Sequence, residues 1–215
     1  MQQQIEAVIF DADGTLVDSE TPGLDVLHEQ ALALGLAWER EALHERFRGR
    51  RMAECAASLA AEAGRDEPGF ADAFLQQLRA AMAERFRLGL SPMAGAEALL
   101  RRLTLPFCIA TNGPREKVEL TLGLTGLLPL VQQRLYSAYE VGSFKPEPGL
   151  FLHAAAGLGV APARCAVVED SLPGVEAGLA AGMRVFTLLA REQAPPALQD
   201  QVVFIRELAE LERYF

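Results

Sequence analysis

Two aspartates, Asp11 and Asp13, stand two residues apart, directly after the apolar run 7–10 and directly before Gly14 and Thr15. Carboxylates so spaced beside a glycine turn can share one hard cation. Mg²⁺ suits such a site, because it takes one or two carboxylates and keeps positions for water and phosphate. With metal and phosphate in place, Asp11 is a candidate nucleophile toward phosphorus, giving an aspartyl phosphate. Asp13 is a candidate acid that protonates the leaving oxygen and later takes a proton from water. Gly14 lets the backbone approach the phosphoryl oxygens. Taken alone, Asp-x-Asp-Gly is also an ordinary polar turn. A calcium loop is excluded, because Gly14 follows Asp13 at once and Pro22 stands where a bidentate glutamate is needed.

Three further groups have the same flavour. Thr111, Asn112, Gly113 and Pro114 precede a helical pattern over 115–122, with Asn112 or Gly113 as its cap and Pro114 in its first turn. A hydroxyl, an amide and free N–H groups at a helix start form a phosphate site, although by themselves they are an ordinary helix start. Lys145, fixed by Pro146, can neutralise phosphate and the aspartyl charge. Glu169 and Asp170 end another apolar run, and adjacent acids facing Asp11 and Asp13 repel unless a cation lies between them. Both are therefore candidates as metal ligands or as holders of the ligands. Ser171 next to them also reads as a helix cap, and the two roles are compatible.

These groups need elements to bring them together. The runs 7–10, 106–110 and 165–168 are each continuous, apolar, followed by polar residues and then by a helical pattern. Such runs read as strands buried on both faces, and their alternation with helices implies a parallel sheet. The run 185–189 adds a strand, and 202–205 adds one at the edge. Ligands bind at the carboxyl ends of strands in such sheets, so the polar residues after each run belong to one site. Between about residues 19 and 88 the pattern becomes helical, with Leu75, Leu78, Met82 and Phe86 on one stripe, and reads as about four helices. The expected organisation is an α/β core of residues 1–17 and 89–215, a Rossmann-like doubly wound parallel sheet, with a helical domain of residues 18–88 inserted in it.

Composition bounds the rest. A chain of 215 residues that is 50% hydrophobic and 23% charged can bury a core without staples. Cys55, Cys108 and Cys165 are far apart with no paired spacing, which points to a reducing, cytoplasmic setting. The start lacks a basic region before its short apolar run, and no stretch approaches the ~18 residues of a membrane span. A net charge of −9 disfavours nucleic acid and anionic membrane as partners. It also means that a phosphate-handling site here needs a divalent metal and placed lysines or arginines. His28, His44 and His153 have no ligand spacing and read as structural or surface residues.

Asp11-x-Asp13-Gly14-Thr15, Thr111 at a second strand end, Lys145-Pro146 and Glu169-Asp170-Ser171, in this order, resemble the four motifs of the haloacid dehalogenase superfamily. The four span the whole core, and together they are specific where each alone is not. The resemblance implies a Mg²⁺-dependent phosphatase with a small helical cap, Asp11 as nucleophile and Asp13 as acid/base. It places Gly14, Thr15, Thr111, Asn112, Gly113 and Lys145 around the phosphate. Asp11, the Asp13 backbone carbonyl and Asp170 would bind Mg²⁺, with Glu169 as a further candidate. Asp13 argues against dehalogenation, since true dehalogenases lack that second acid. The segments FDADGTLVDSE, TNGPREK and FKPEPGLF are similar to those of sugar-phosphate phosphatases, including 6-phosphogluconate phosphatases, and to β-phosphoglucomutases and phosphoglycolate phosphatases. A phosphomutase is thus the alternative, and a non-catalytic phosphometabolite-binding module a third reading. Met52 stands where a mutase cap has a phosphate-binding arginine, which lowers the mutase reading. Arg48 and Arg51, in the cluster around Gly49, either hold a substrate anion or form a solvated helix end paired with glutamates. The expected partner is a small phosphorylated metabolite, taken by a monomer or weak homodimer.

Overall fold

The computed structural model describes residues 4–131 and 134–215, and the chain divides into two compact units, Met1–Val17 with Ser91–Phe215, and Asp18–Leu90. In the first unit six strands form one parallel sheet in the order β3-β2-β1-β4-β5-β6. They are β1 (Ala7–Phe10), β2 (Phe107–Thr111), β3 (Leu135–Ser137), β4 (Cys165–Glu169), β5 (Arg184–Thr187) and β6 (Val203–Phe204). Every residue of β1, β2 and β4 is buried, as continuous apolar runs covered on both faces require. One covering layer packs Ile9, Cys108, Ala110 and Val167 against Leu150, Phe151 and Ala154 of one helix and Val175 and Ala177 of another.

The strand order reverses at β1, whose neighbours are β2 on one side and β4 on the other. In sheets of this order the crevice that takes ligands opens at that reversal, outside the carboxyl ends of the strands. Register makes the placement concrete. Phe10 lies opposite both Ile109 and Val168, so Asp11, the end of β2 and Glu169 emerge side by side. The ladder runs one bond further, with the Asp11 N–H donating to the Val168 carbonyl at 3.0 Å.

The second unit holds four helices, α1 (Glu20–Ala33), α2 (Arg40–Phe47), α3 (Met52–Glu62) and α4 (Phe70–Leu88). Leu24, Leu27, Leu43, Phe47, Leu59, Leu78 and Phe86 share one apolar cluster there. The buried stripe of α4 runs through Phe74, Leu78, Met82 and Phe86, so Phe74 takes the inward place expected for Leu75. Steps of four residues advance slightly past one helical turn, and the larger ring one residue earlier fills the groove.

The remaining helices of the first unit are α5 (Ala96–Arg102), α6 (Arg115–Leu124), α7 (Leu128–Val131), α8 (Ala138–Val141), α9 (Gly149–Leu158) and α10 (Leu172–Ala180). Two sequence expectations need correcting. The edge strand β3 has no continuous apolar run, since Leu135-Tyr136-Ser137 is only three residues long, and it was not foreseen. Pro114 is the residue before α6 and Asn112 does not cap that helix, because the Asn112 side chain is engaged elsewhere. Ser171, by contrast, does cap α10, its hydroxyl accepting from the Gly174 N–H at 3.2 Å. The three cysteines are buried and form no disulfide, and no helix among the described residues is long and apolar enough to cross a membrane.

Candidate active site

Lys145 is the centre of the charge arrangement. Its ammonium is 2.5 Å from Asp11 Oδ1 and 2.6 Å from Glu169 Oε1, and all three groups are buried. The Lys145–Pro146 peptide bond is cis. Burial opposes the lysine's charge, but Asp11 and Glu169 together outweigh it and hold the ammonium above its ordinary range. Its Nζ lies over the Phe151 ring, 5.0 Å from the centroid.

Asp11 has the opposite problem. Burial pushes its carboxyl up to about 7; Lys145 pulls it down, while Glu169 and Asp13 raise it further. One ammonium is too little positive charge for the carboxylates gathered here. The oxygens of Asp11, Glu169 and Asp170 lie within 4.8 Å of one another, a set of hard donors sized for one divalent cation. The residues present therefore fit Mg²⁺ by donor type and by charge deficit.

The four oxygens of the two adjacent acids are not equivalent. Glu169 Oε2 accepts from Asp170 N, Ser171 N and Ser171 Oγ at 3.0, 3.0 and 2.9 Å, while Oε1 faces Lys145. With both oxygens so engaged, Glu169 supports Lys145 and the turn carrying Asp170, and its place as a direct ligand is the weakest of the set. Its carboxylate packs on the bare Cα of Gly174, where a methyl group would overlap it. Asp170 is less buried, and Thr15 Oγ1 donates to its Oδ1 at 3.0 Å. Gly14, at φ +79°, lies so close to the Asp170 carboxylate that a Cβ would overlap it. Gly14 and Thr15, expected at the phosphate, thus both lie against the Asp170 carboxylate.

Asp13 stands outside this cluster. Its Oδ2 is 2.7 Å from Lys117 Nζ on α6, which holds its carboxylate toward the helix. The Asp13 carboxylate thus faces Lys117, and the Asp13 atom expected at the metal is its backbone carbonyl. Lys117 was not foreseen; its only sequence signal is its place in the first turn of the helix after Thr111.

The loop after β2 is tightly made. Thr111 is buried, and its Oγ1 accepts from the Gly113 N–H at 3.0 Å. Ser137, at the end of the unforeseen β3, donates to the Gly113 carbonyl at 2.7 Å. The Asn112 side chain meets the backbone of Lys145 with two hydrogen bonds. Arg48 and Arg51 belong to the helical unit, where Arg48 donates to Glu20 at 2.5 Å and Arg51 pairs with Glu54. The Gly49 N–H adds a bond to Glu20 at 3.0 Å. Both arginines are thus paired with glutamates of their own unit.

This architecture has well-defined relatives. Residues 5–182 match the family model described as haloacid dehalogenase-like hydrolase. The chain is 33% identical over 209 residues to the 6-phosphogluconate phosphatase of Escherichia coli (strain K12), covering 97% of this chain and 93% of that protein. It is also 33% identical to hexitol phosphatase A of the same organism, over 87% of this chain and 84% of that one. A solved HAD family hydrolase from Deinococcus radiodurans R1, described with bound phosphate and sodium, superposes with a TM-score of 0.72 at 33% identity, covering 96% and 93% of the two chains. On fold, motif order and these likenesses together, the chain belongs to the haloacid dehalogenase-like hydrolases and is a phosphoric monoester hydrolase of that family.

Proposed function

We propose that the protein hydrolyses a small phosphorylated metabolite, a sugar phosphate or sugar-acid phosphate such as 6-phosphogluconate, through an aspartyl phosphate on Asp11. The observation that carries this reading is the buried Asp11 carboxylate, touched by Lys145 and gathered with Asp170 and Glu169 at the end of β1. Asp11 and Asp170 would hold Mg²⁺, with the backbone carbonyl of Asp13. The bound ion supplies positive charge against the phosphoryl oxygens as charge builds there. Asp11 attacks phosphorus in line, the P–O bond to the leaving group breaks, and the Asp13 carboxyl gives its proton to the departing oxygen. Water then attacks the phosphorus of the aspartyl phosphate while Asp13 takes its proton, releasing phosphate and restoring Asp11. Lys145 neutralises charge on Asp11 and the phosphoryl group throughout, and the Thr111 hydroxyl, whose oxygen accepts from the Gly113 N–H, donates its hydrogen to it. Residues 18–88 are the inserted cap in this reading, with Arg48 and Arg51 as its candidate anion contacts.

Similarity to the 6-phosphogluconate and hexitol phosphatases supports a polyhydroxylated leaving group. A phosphomutase uses the same core residues and differs in what accepts the phosphoryl group. Met52 packs against the apolar cluster of its own unit and offers no cation there. The test is phosphate release from 6-phosphogluconate, hexitol phosphates, phosphoglycolate and nucleotides, with Mg²⁺ or EDTA. Release that needs Mg²⁺ and falls by about 10³-fold or more in Asp11→Asn is expected. No release from any ester, or release indifferent to Asp11, sinks the reading.

A further inference from the structure

Lys145 lies in a turn between α8 and α9, within neither helix nor strand, yet its ammonium must meet two buried carboxylates at once. A flexible four-carbon stem on a turn does not guarantee that, although the Glu147 N–H closes the turn on the Phe144 carbonyl at 2.9 Å. What fixes its main chain is a side chain from another loop. Asn112 Oδ1 accepts from the Lys145 N–H at 2.9 Å, and Asn112 Nδ2 donates to the Lys145 carbonyl at 3.2 Å. One amide thus satisfies both backbone groups of one residue, as a neighbouring strand would. The orientation of the amide is set by this pairing, since rotating it would oppose donor to donor and acceptor to acceptor.

We infer that Asn112 is a positioning residue for Lys145, acting through the lysine's main chain, and that phosphate binding is not its role. The inference rests on the reading of Asp11 and Lys145 as the reactive centre. Ser137 and Thr111 hold Gly113 while Asn112 holds Lys145, so the β2 loop and the lysine turn form one assembly. Asparagine is required chemically: aspartate keeps the acceptor and loses the donor, and alanine loses both.

The test is a double-mutant cycle of wild type, Asn112→Ala, Lys145→Met and the double variant. It is read by kcat, KM, affinity for inorganic phosphate and urea unfolding without metal. Asn112→Ala should lower kcat by about 10–100-fold, as misplacement of a charged group by about 1 Å does. Any loss of phosphate affinity should run through Lys145, so in the Lys145→Met background the same change should cost less than about 3-fold in both kcat and phosphate affinity. Equal losses in both backgrounds, in kcat or in phosphate affinity, would assign Asn112 to the phosphate and overturn the inference. The unfolding arm needs no turnover: the two substitutions should be non-additive by about 5-fold or more in the unfolding constant, and additivity also overturns it. If wild type hydrolyses no ester while unfolding shows the coupling, the phosphatase reading fails and the clamp stands. Should a variant not fold, Asn112→Asp with Lys145→Arg runs the same cycle with smaller changes.

Discussion

The two units handle charge in opposite ways. In the sheet unit Lys145 and Glu169 are 5% and 0% exposed, and each touches several partners whose loss would leave an unpaired charge indoors. In the helical unit charged residues pair across exposed helix surfaces, as Arg85 does with Glu29 at 2.8 Å and Arg48 with Glu20 at 2.5 Å. Buried networks fix geometry and are costly to break, whereas exposed pairs contribute little and can change partner. Reaction chemistry needs the first arrangement. The second leaves each side chain able to exchange its partner at small cost.

The contrast can be broken most sharply at Lys145. Lys145→Met should destabilise the metal-free protein by about 3–5 kcal/mol in urea unfolding, since two buried carboxylates lose their shared cation. A loss below 1 kcal/mol would show that the site is not a tight charge network. The next effect is the response to Mg²⁺. At a 100-fold excess over its dissociation constant, the ion should stabilise the protein by about 2.7 kcal/mol. At one fixed Mg²⁺ concentration the gain should be larger at pH 8 than at pH 5.5, because Asp11, pushed up to about 7, is protonated at the lower pH and competes with the metal. The sign without metal is the reverse. A carboxyl raised from 3.8 binds its proton more tightly when folded, so its contribution is full below that value and is lost as pH rises through about 7. Calorimetric scans at the two pH values, with Mg²⁺ and with EDTA, check both statements.

Smaller effects sharpen the comparison. Thr15→Val removes the hydroxyl that orients Asp170 and should weaken Mg²⁺ binding by about 10-fold, near 1.4 kcal/mol, with little change in stability. Titration calorimetry on the full chain measures it, and an unchanged affinity would make Thr15 a packing residue only. At the far end, Arg85→Ala in the helical unit should cost less than about 1 kcal/mol, and less still in high salt. A larger loss would place Arg85 in a network of the kind found around Lys145.

Strands β1, β2 and β4 were legible in the sequence because each is a continuous apolar run ending in polar residues, and a strand buried on both faces can be little else. The same signal located Asp11, Thr111, Glu169 and Asp170 at strand ends. β3 and Ser137 were not legible, since three residues at a sheet edge carry no periodic pattern. Lys117 was hidden for another reason: a lysine on a helix looks the same whether it faces water or a carboxylate.

The sequence by itself determined the fold class, the acidic pair at the end of β1, the need for a cation, and the family resemblance through four ordered motifs. These are local facts of residue type and spacing. Only the tertiary structure decided the division of labour among the polar residues: Thr15 and Gly14 serving Asp170, Glu169 supporting Lys145, Lys117 drawing Asp13 aside, and Asn112 grasping the backbone of Lys145. Those pairings join residues as many as 155 apart in the chain. A motif states which functional groups are present, but hydrogen-bond capacity is spent in three dimensions, and which group satisfies which is settled only when the strand ends meet.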